Sequence, residues 1–163
     1  MGTLFTSLGL AAAELETAVS AYRSFYAADG MHRSAVYPGI VELLDALTAR
    51  GVVLATATAK LTPVAQAILD LHGLGPWFAV VNGTDATHHT KTETLARTLE
   101  LLDGPDPASV LMVGDRHSDV AAGQACGVVT VGVRWGYGTH AELATTGADH
   151  LVDSPAELLA LLG

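Results

Sequence analysis

Apolar residues along this chain change their spacing near residue 51. Before it they recur at Leu15, Ala18, Val19, Tyr22, Phe25 and Tyr26, intervals of three and four that form one face of a helix over residues 11 to about 29. Tyr37-Pro38-Gly39 interrupts, and Ile40, Val41, Leu43, Leu44 and Leu47 mark a second helix ending near Gly51. Beyond it come short β-branched runs at residues 52–56, 79–81, 110–113 and 128–133, with the composition of strands buried on both faces. Helical segments at 63–71, 91–102 and 118–126 separate them, and a strand near 150–152 and a helix through Leu162 close the chain. Thr62-Pro63 and Ser154-Pro155 read as N-cap and first-turn pairs. Alternation of this kind predicts a parallel sheet with helices on both faces. The start of the chain is helical only, so two units are expected, residues 1–36 and 37–163.

Composition narrows the function classes. Half of the chain is apolar and 15% is charged, enough apolar material for a sizeable core. A formal net charge of −9 argues against nucleic acid and anionic membranes as partners, while a local cluster of donors still suits a small phosphorylated metabolite. One cysteine, Cys126, excludes an intrachain disulfide and fits a reducing compartment. The N-terminus lacks a basic segment followed by a sustained apolar stretch, and no apolar run matches a bilayer's thickness. The expectation is a cytoplasmic protein.

In a doubly wound sheet, ligands bind beyond the carboxyl ends of the strands. Three strand ends carry suitable groups: Thr58-Ala59-Lys60 after the first, Lys91 at a helix start after the second, and Asp115 followed by Asp119 after the third. Two carboxylates, one at a strand tip and one on the next helical turn, suit an octahedral Mg2+ site. Singly, each has an ordinary alternative: Asp119 as a helix cap, Thr58 as a turn hydroxyl, Lys91 as a solvated lysine. Their order on successive strand ends is what distinguishes them. His88-His89 stands in a polar loop, and the other histidines show no ligand spacing. Trp77-Phe78 and Trp135-Tyr137 read as packing or site-rim residues.

"GDRHSD", continued by "GVVTVGVRWGYGTHAEL" and "GADHLVDSPAEL", resembles the haloacid dehalogenase superfamily, in particular its phosphoglycolate phosphatase-like branch. "YPGIVELLDALTARG" and "ATATAK" resemble the segment leading into that branch's second motif and the motif itself. The resemblance implies a three-layer α/β fold of the Rossmann-like type with a truncated helical cap over residues 1–36. It implies that Thr58, with Ala59 beside it, binds phosphate, that Lys91 neutralises the phosphoryl group, and that Asp115 and Asp119 hold Mg2+. The activity it implies is Mg2+-dependent hydrolysis of a small phosphomonoester through an aspartyl-phosphate.

One part of the family pattern is missing. Its first motif has the form DxDGT, but no aspartate precedes Asp29 here, and the acids before it are Glu14 and Glu16. "MGTLFTS" echoes the GTL portion, with Met1 where the second Asp would stand. By resemblance, the strand carrying that motif lies between those ending in Thr58 and Asp115. The expectation is a family protein inactive or incomplete as an enzyme, with weak Mg2+ binding. The alternatives are a non-catalytic interaction module and a fragment of a longer, active phosphatase. The place of the missing strand is expected to be closed by direct pairing, by the "TLFTSL" segment, or by homo-oligomerisation.

Overall fold

In the computed structural model, Tyr37-Pro38-Gly39 leads into helix α1 (Ile40–Ala49), whose Leu43, Leu44 and Leu47 are buried at the spacing the sequence predicts. The structure describes residues 33–85 and 87–163, together with Glu14 and Thr17, both helical. The remainder of the expected helix over 11–29, and the "TLFTSL" segment, lie outside the described residues. After α1 the order is β1 (Leu54–Leu61), α2 (Thr62–Leu71), β2 (Phe78–Thr84), α3 (Lys91–Leu101), β3 (Leu111–Gly114) and α4 (His117–Cys126). Then come β4 (Val129–Val133), α5 (His140–Ala144), β5 (His150–Val152) and α6 (Pro155–Ala160). Residues 36–163 form one compact unit. No helix among the described residues is long and apolar enough to cross a membrane.

Every strand pairing is parallel, as the alternation of elements predicts, but the strands form two sheets. β1 pairs with β2, and β3, β4 and β5 pair in that order. Among the described residues β1 and β3 each have one strand neighbour, so direct pairing of the two does not close the interval between them.

Helices bind the sheets together from both sides. On one face, Leu43 and Leu47 of α1, Val131 and Val133 of β4, Val152 of β5 and Leu158 of α6 form a core, with Leu54 of β1 and Leu111 of β3 packed against it. On the other, Leu95 of α3 and Ala122 of α4 join Met112 and Val128, with Ala57 of β1 packed alongside. Leu111 and Met112 point to opposite faces because successive strand side chains alternate. Both cores therefore touch both sheets.

Three expectations need correction. The strands are not all buried on both faces: only β4, flanked on both edges, has most of its residues buried, whereas no residue of β1 is. Within the run at 52–56, β1 starts only at Leu54 and then runs on to Leu61, because Val52 donates its N–H to the Leu47 carbonyl and so closes the turn after α1. Thr62 is not an N-cap but the first residue of α2, after Leu61. Its hydroxyl accepts from the Gly83 N–H and donates to the Gly83 carbonyl, which ties α2 to β2. Ser154 does cap α6, accepting the Glu157 N–H. Helix α5 was not anticipated; five residues are too few to display a helical period.

Candidate functional site

Gly114 ends strand β3 under the side chain of Asp119, which folds back over the strand tip, and a Cβ at Gly114 would collide with it. Asp119 divides its two oxygens. Oδ2 accepts the Arg116 N–H at 3.1 Å, capping α4, and Oδ1 pairs with the Lys91 ammonium at 2.9 Å. The pair is largely enclosed, with side chains 9% and 17% exposed. The capping alternative for Asp119 is thus true of one oxygen, while the solvated-lysine alternative for Lys91 is not what the structure shows. Lys91 reaches this place because α3 starts firmly: Thr90 accepts the Glu93 N–H, and Glu93 returns a bond from the Thr90 N–H.

Asp115, the first residue beyond β3, is gripped from the opposite side. Its Oδ2 accepts the Tyr137 N–H at 2.6 Å. The loop Trp135–Gly138 can lie this close only because Gly136 and Gly138 lack side chains; a Cβ on either would meet Asp115 itself. The glycines of "WGYG" thereby acquire a physical reason.

Thr58 is held by contacts of its own within β1. It pairs with Gly83 in the β1–β2 ladder, and its hydroxyl accepts the Lys60 N–H at 3.3 Å. The Ala59 carbonyl accepts the Thr84 hydroxyl. Of the expected site residues, Lys91 and Asp119 are in direct contact, and Asp115 is four residues before Asp119 at the mouth of β3; Thr58 and Ala59 do not follow the first strand as expected but lie within β1, whose ladder with β2 runs on to Leu61.

Sequence reasoning missed several neighbours. Glu142 of α5 accepts the His117 N–H at 2.9 Å and pairs with Arg116 at 3.5 Å, so α4 begins against a second carboxylate. These bonds hold the Glu142 carboxyl below the usual range, the His117 N–H first among them. Tyr37 is a rim residue: its phenol is pushed up by partial burial first, then by Tyr137 and Asp115. The Thr90–Glu93 spacing was the available signal for the start of α3; nothing local announces Tyr37 or Glu142.

His88 and Cys126 lie in ordinary surroundings. His88 Nδ1 lies 3.0 Å from both oxygens of Asp85. That contact, with the N–H groups of Thr87 and His88, pulls the Asp85 carboxyl far below its usual range. Cys126 is half-buried at the end of α4, and desolvation pushes its thiol up, away from the reactive thiolate.

No group of three or more His, Cys, Asp or Glu side chains able to hold a metal occurs among the described residues. Two hard carboxylates nevertheless suit Mg2+, which keeps several waters and is commonly bound through one or two carboxylates plus substrate phosphate. The donor set fits a weakly held ion, which would compete with Lys91 for Asp119 Oδ1.

Comparison with known proteins places this arrangement. Tyrosine-protein kinase PtkA from Mycobacterium tuberculosis is 42% identical over 125 residues, 76% of this chain and 43% of PtkA. The chain thus spans less than half the length of that relative. A phosphoglycolate phosphatase from Aquifex aeolicus is 31% identical over 149 residues, covering 90% of this chain and 68% of its own. Among solved structures, a haloacid dehalogenase-like family protein from Streptococcus pneumoniae superposes with a TM-score of 0.92 at 25% identity. That match takes in 99% of this chain and 76% of the pneumococcal one. Residues 4–127, well over half of the chain, match the haloacid dehalogenase-like hydrolases, and it is to this family that the chain belongs.

Proposed function

We propose that this chain carries the phosphate- and metal-binding part of a Mg2+-dependent phosphomonoester hydrolase, phosphoglycolate phosphatase-like, and that it does not turn over by itself. The observation that supports this most is the enclosed contact between Lys91 and Asp119, which joins the cation and one of the acids expected at successive strand ends. In this reading Thr58 and Ala59 hold the phosphoryl group of a small phosphorylated metabolite. Lys91 neutralises its oxygens, and Asp115 and Asp119 hold Mg2+. When bound, the ion supplies further positive charge to the phosphoryl oxygens. Residues 1–36 are the remnant of a helical cap, and 37–163 are the core.

Covalent phosphoryl transfer requires a nucleophile, and no aspartate stands before Asp29 to serve. PtkA is named as a kinase and the Aquifex protein as a phosphatase, so handling of a phosphoryl group is what their names share. The acceptor is what differs.

Lys91 and Asp119 satisfy each other when the pocket holds no ligand. A phosphate that recruits Lys91 frees Asp119 for Mg2+, and Mg2+ on Asp119 frees Lys91 for phosphate. The two ligands therefore bind with positive coupling, which thermodynamic linkage makes reciprocal. Calorimetric titration with inorganic phosphate, with and without Mg2+, tests this. Weak phosphate binding strengthened about tenfold by Mg2+, with the strengthening lost in Lys91→Met, is expected. Absence of phosphate binding at millimolar concentration would refute the pocket. Mg2+-dependent hydrolysis of 4-nitrophenyl phosphate, lost in Asp115→Ala, would refute the claim of incompleteness.

A further inference from the structure

Asp115 and Asp119 each give Oδ2 to a main-chain N–H, that of Tyr137 at 2.6 Å and that of Arg116 at 3.1 Å. The direction of both carboxylates is therefore set by the backbone around them. Two contacts fix that backbone from outside. Gly138 lies against Asp115 so closely that a Cβ there would collide with the Asp115 carbonyl oxygen. Glu142 Oε1 accepts the His117 N–H at 2.9 Å. One short stretch, residues 136–142, thus steadies the loop both at the first acid and midway between the two.

Glu142 is firmly placed for this. The Thr139 hydroxyl accepts its N–H at 3.0 Å, and its neighbour Leu143 is buried, facing Gly132 of β4. His117 is the first residue of α4, so its N–H has no acceptor within that helix, and Glu142 supplies one from another element. Glu142 also meets Arg116 at 3.5 Å, but the side chains are 30% and 54% exposed, and an ion pair so exposed contributes little. The charge-assisted bond to the His117 amide is the stronger hold.

We infer that Glu142 is a positioning residue for Mg2+ at Asp115 and Asp119: by holding the His117 N–H it fixes the loop on which both acids stand. The inference rests on the phosphate and Mg2+ reading proposed above, and adds to it a residue that carries no role in holding either ligand. Mg2+ demands near-ideal octahedral geometry, so it is sensitive to small displacements of its carboxylates. Phosphate, assigned to Thr58 and Lys91, is not held by this loop, and an ammonium group acts as a point charge on a flexible stem. Loss of Glu142 therefore weakens Mg2+ and spares phosphate, a split that general loosening of the fold would not produce.

The test titrates the full chain with inorganic phosphate in a calorimeter at a series of Mg2+ concentrations, and reads the concentration at which strengthening is half complete. Glu142→Ala is expected to raise that concentration about tenfold, the usual scale for groups that orient metal ligands, and to leave phosphate binding without Mg2+ unchanged. Glu142→Gln keeps an acceptor for the His117 N–H and loses the charge, so it should resemble the unaltered chain. Glu142→Asp keeps the charge on a shorter side chain, so it should resemble Glu142→Ala. Amide hydrogen exchange at residues 115–119 should quicken in the Ala and Asp variants and not in the Gln variant. The Gln and Asp pair decides the matter even if Glu142→Ala does not fold. The reverse order, Asp unaffected and Gln weakened, would overturn the inference in favour of a purely electrostatic effect. So would equal loss of phosphate binding with and without Mg2+, the mark of a merely structural role. If Mg2+ strengthens phosphate binding equally in the unaltered chain and all variants, the inference fails alone. If Mg2+ has no effect in the unaltered chain, the pocket reading fails and the inference with it.

Discussion

Strands β4 and β1 belong to the same fold and both run parallel to their neighbours, yet they live in different surroundings. β4 has a strand on each side and buries four of its five residues, Val131 completely. β1 is longer, has one strand neighbour among the described residues, and buries none of its eight. The two sheets are also held by different means. Around β4 the packing is largely aliphatic, from Leu47, Val131, Val133 and Val152, with Leu143 facing Gly132. Between β1, β2 and α3 it is a buried hydrogen-bonded network. The Asn82 amide donates to the Thr94 carbonyl and the Thr98 hydroxyl, and the Thr98 hydroxyl also lies within reach of the Thr56 carbonyl. The Thr56 hydroxyl exchanges bonds with the backbone of Asn82. Composition rich in β-branched residues therefore secures burial only when both edges and both faces are covered. In β1, flanked by one strand among the described residues, directional polar bonds hold the sheet in shape.

The contrast can be broken most severely in the aliphatic half. Leu143 is almost fully buried, and Leu143→Ala is expected to cost about 2–5 kcal/mol in urea unfolding. Leu54→Ala, at the partly buried start of β1, should cost less than half as much. Equal losses would show that both sheets share one uniformly packed core. A smaller effect is expected in the polar half. Asn82→Ala leaves the Thr94 carbonyl without its amide donor and removes a partner of the Thr98 hydroxyl, a loss of about 1–3 kcal/mol. Hydrogen exchange should quicken in β1 and β2 before β4; uniform quickening would contradict the division.

The smallest effect concerns acid. Asp149 accepts the hydroxyl and the N–H of Thr130 at the start of β4, and these bonds, the hydroxyl first, hold its carboxyl below the usual range. A carboxyl depressed in the folded state adds stability above its unfolded value, about pH 3.9, and loses it as pH falls through the folded value. Asp149→Asn should therefore flatten the acid limb of stability below about pH 4, read as the urea midpoint against pH. An unchanged acid limb would remove Asp149 from the account.

Much of this was legible in the residues. Leu43, Leu44 and Leu47 announced α1, and β5 lies where the last β-branched run predicted it. Thr58, Lys91, Asp115 and Asp119 stood out because reactive residue types at successive strand ends are uncommon by chance. Glu142 and Tyr37 were not legible, since their roles arise from elements far away in the chain. The same holds for the grip on Asp115, made by a backbone N–H that every residue except proline possesses.

Side-chain periodicity and turn residues were enough to set the alternation of strands and helices, the parallel pairing that results from it, and the chemical types at the strand ends. Those signals act over a few neighbouring positions, so they can be read along the chain. Tertiary packing alone brought Lys91 to Asp119, made Asn82 the anchor of a polar interior, and kept β1 and β3 apart. Those outcomes depend on contacts between segments distant in the chain. Leu54 and Leu111 share one core, and Ala57 and Met112 the other, so packing ties the two sheets together where, among the described residues, no ladder joins them.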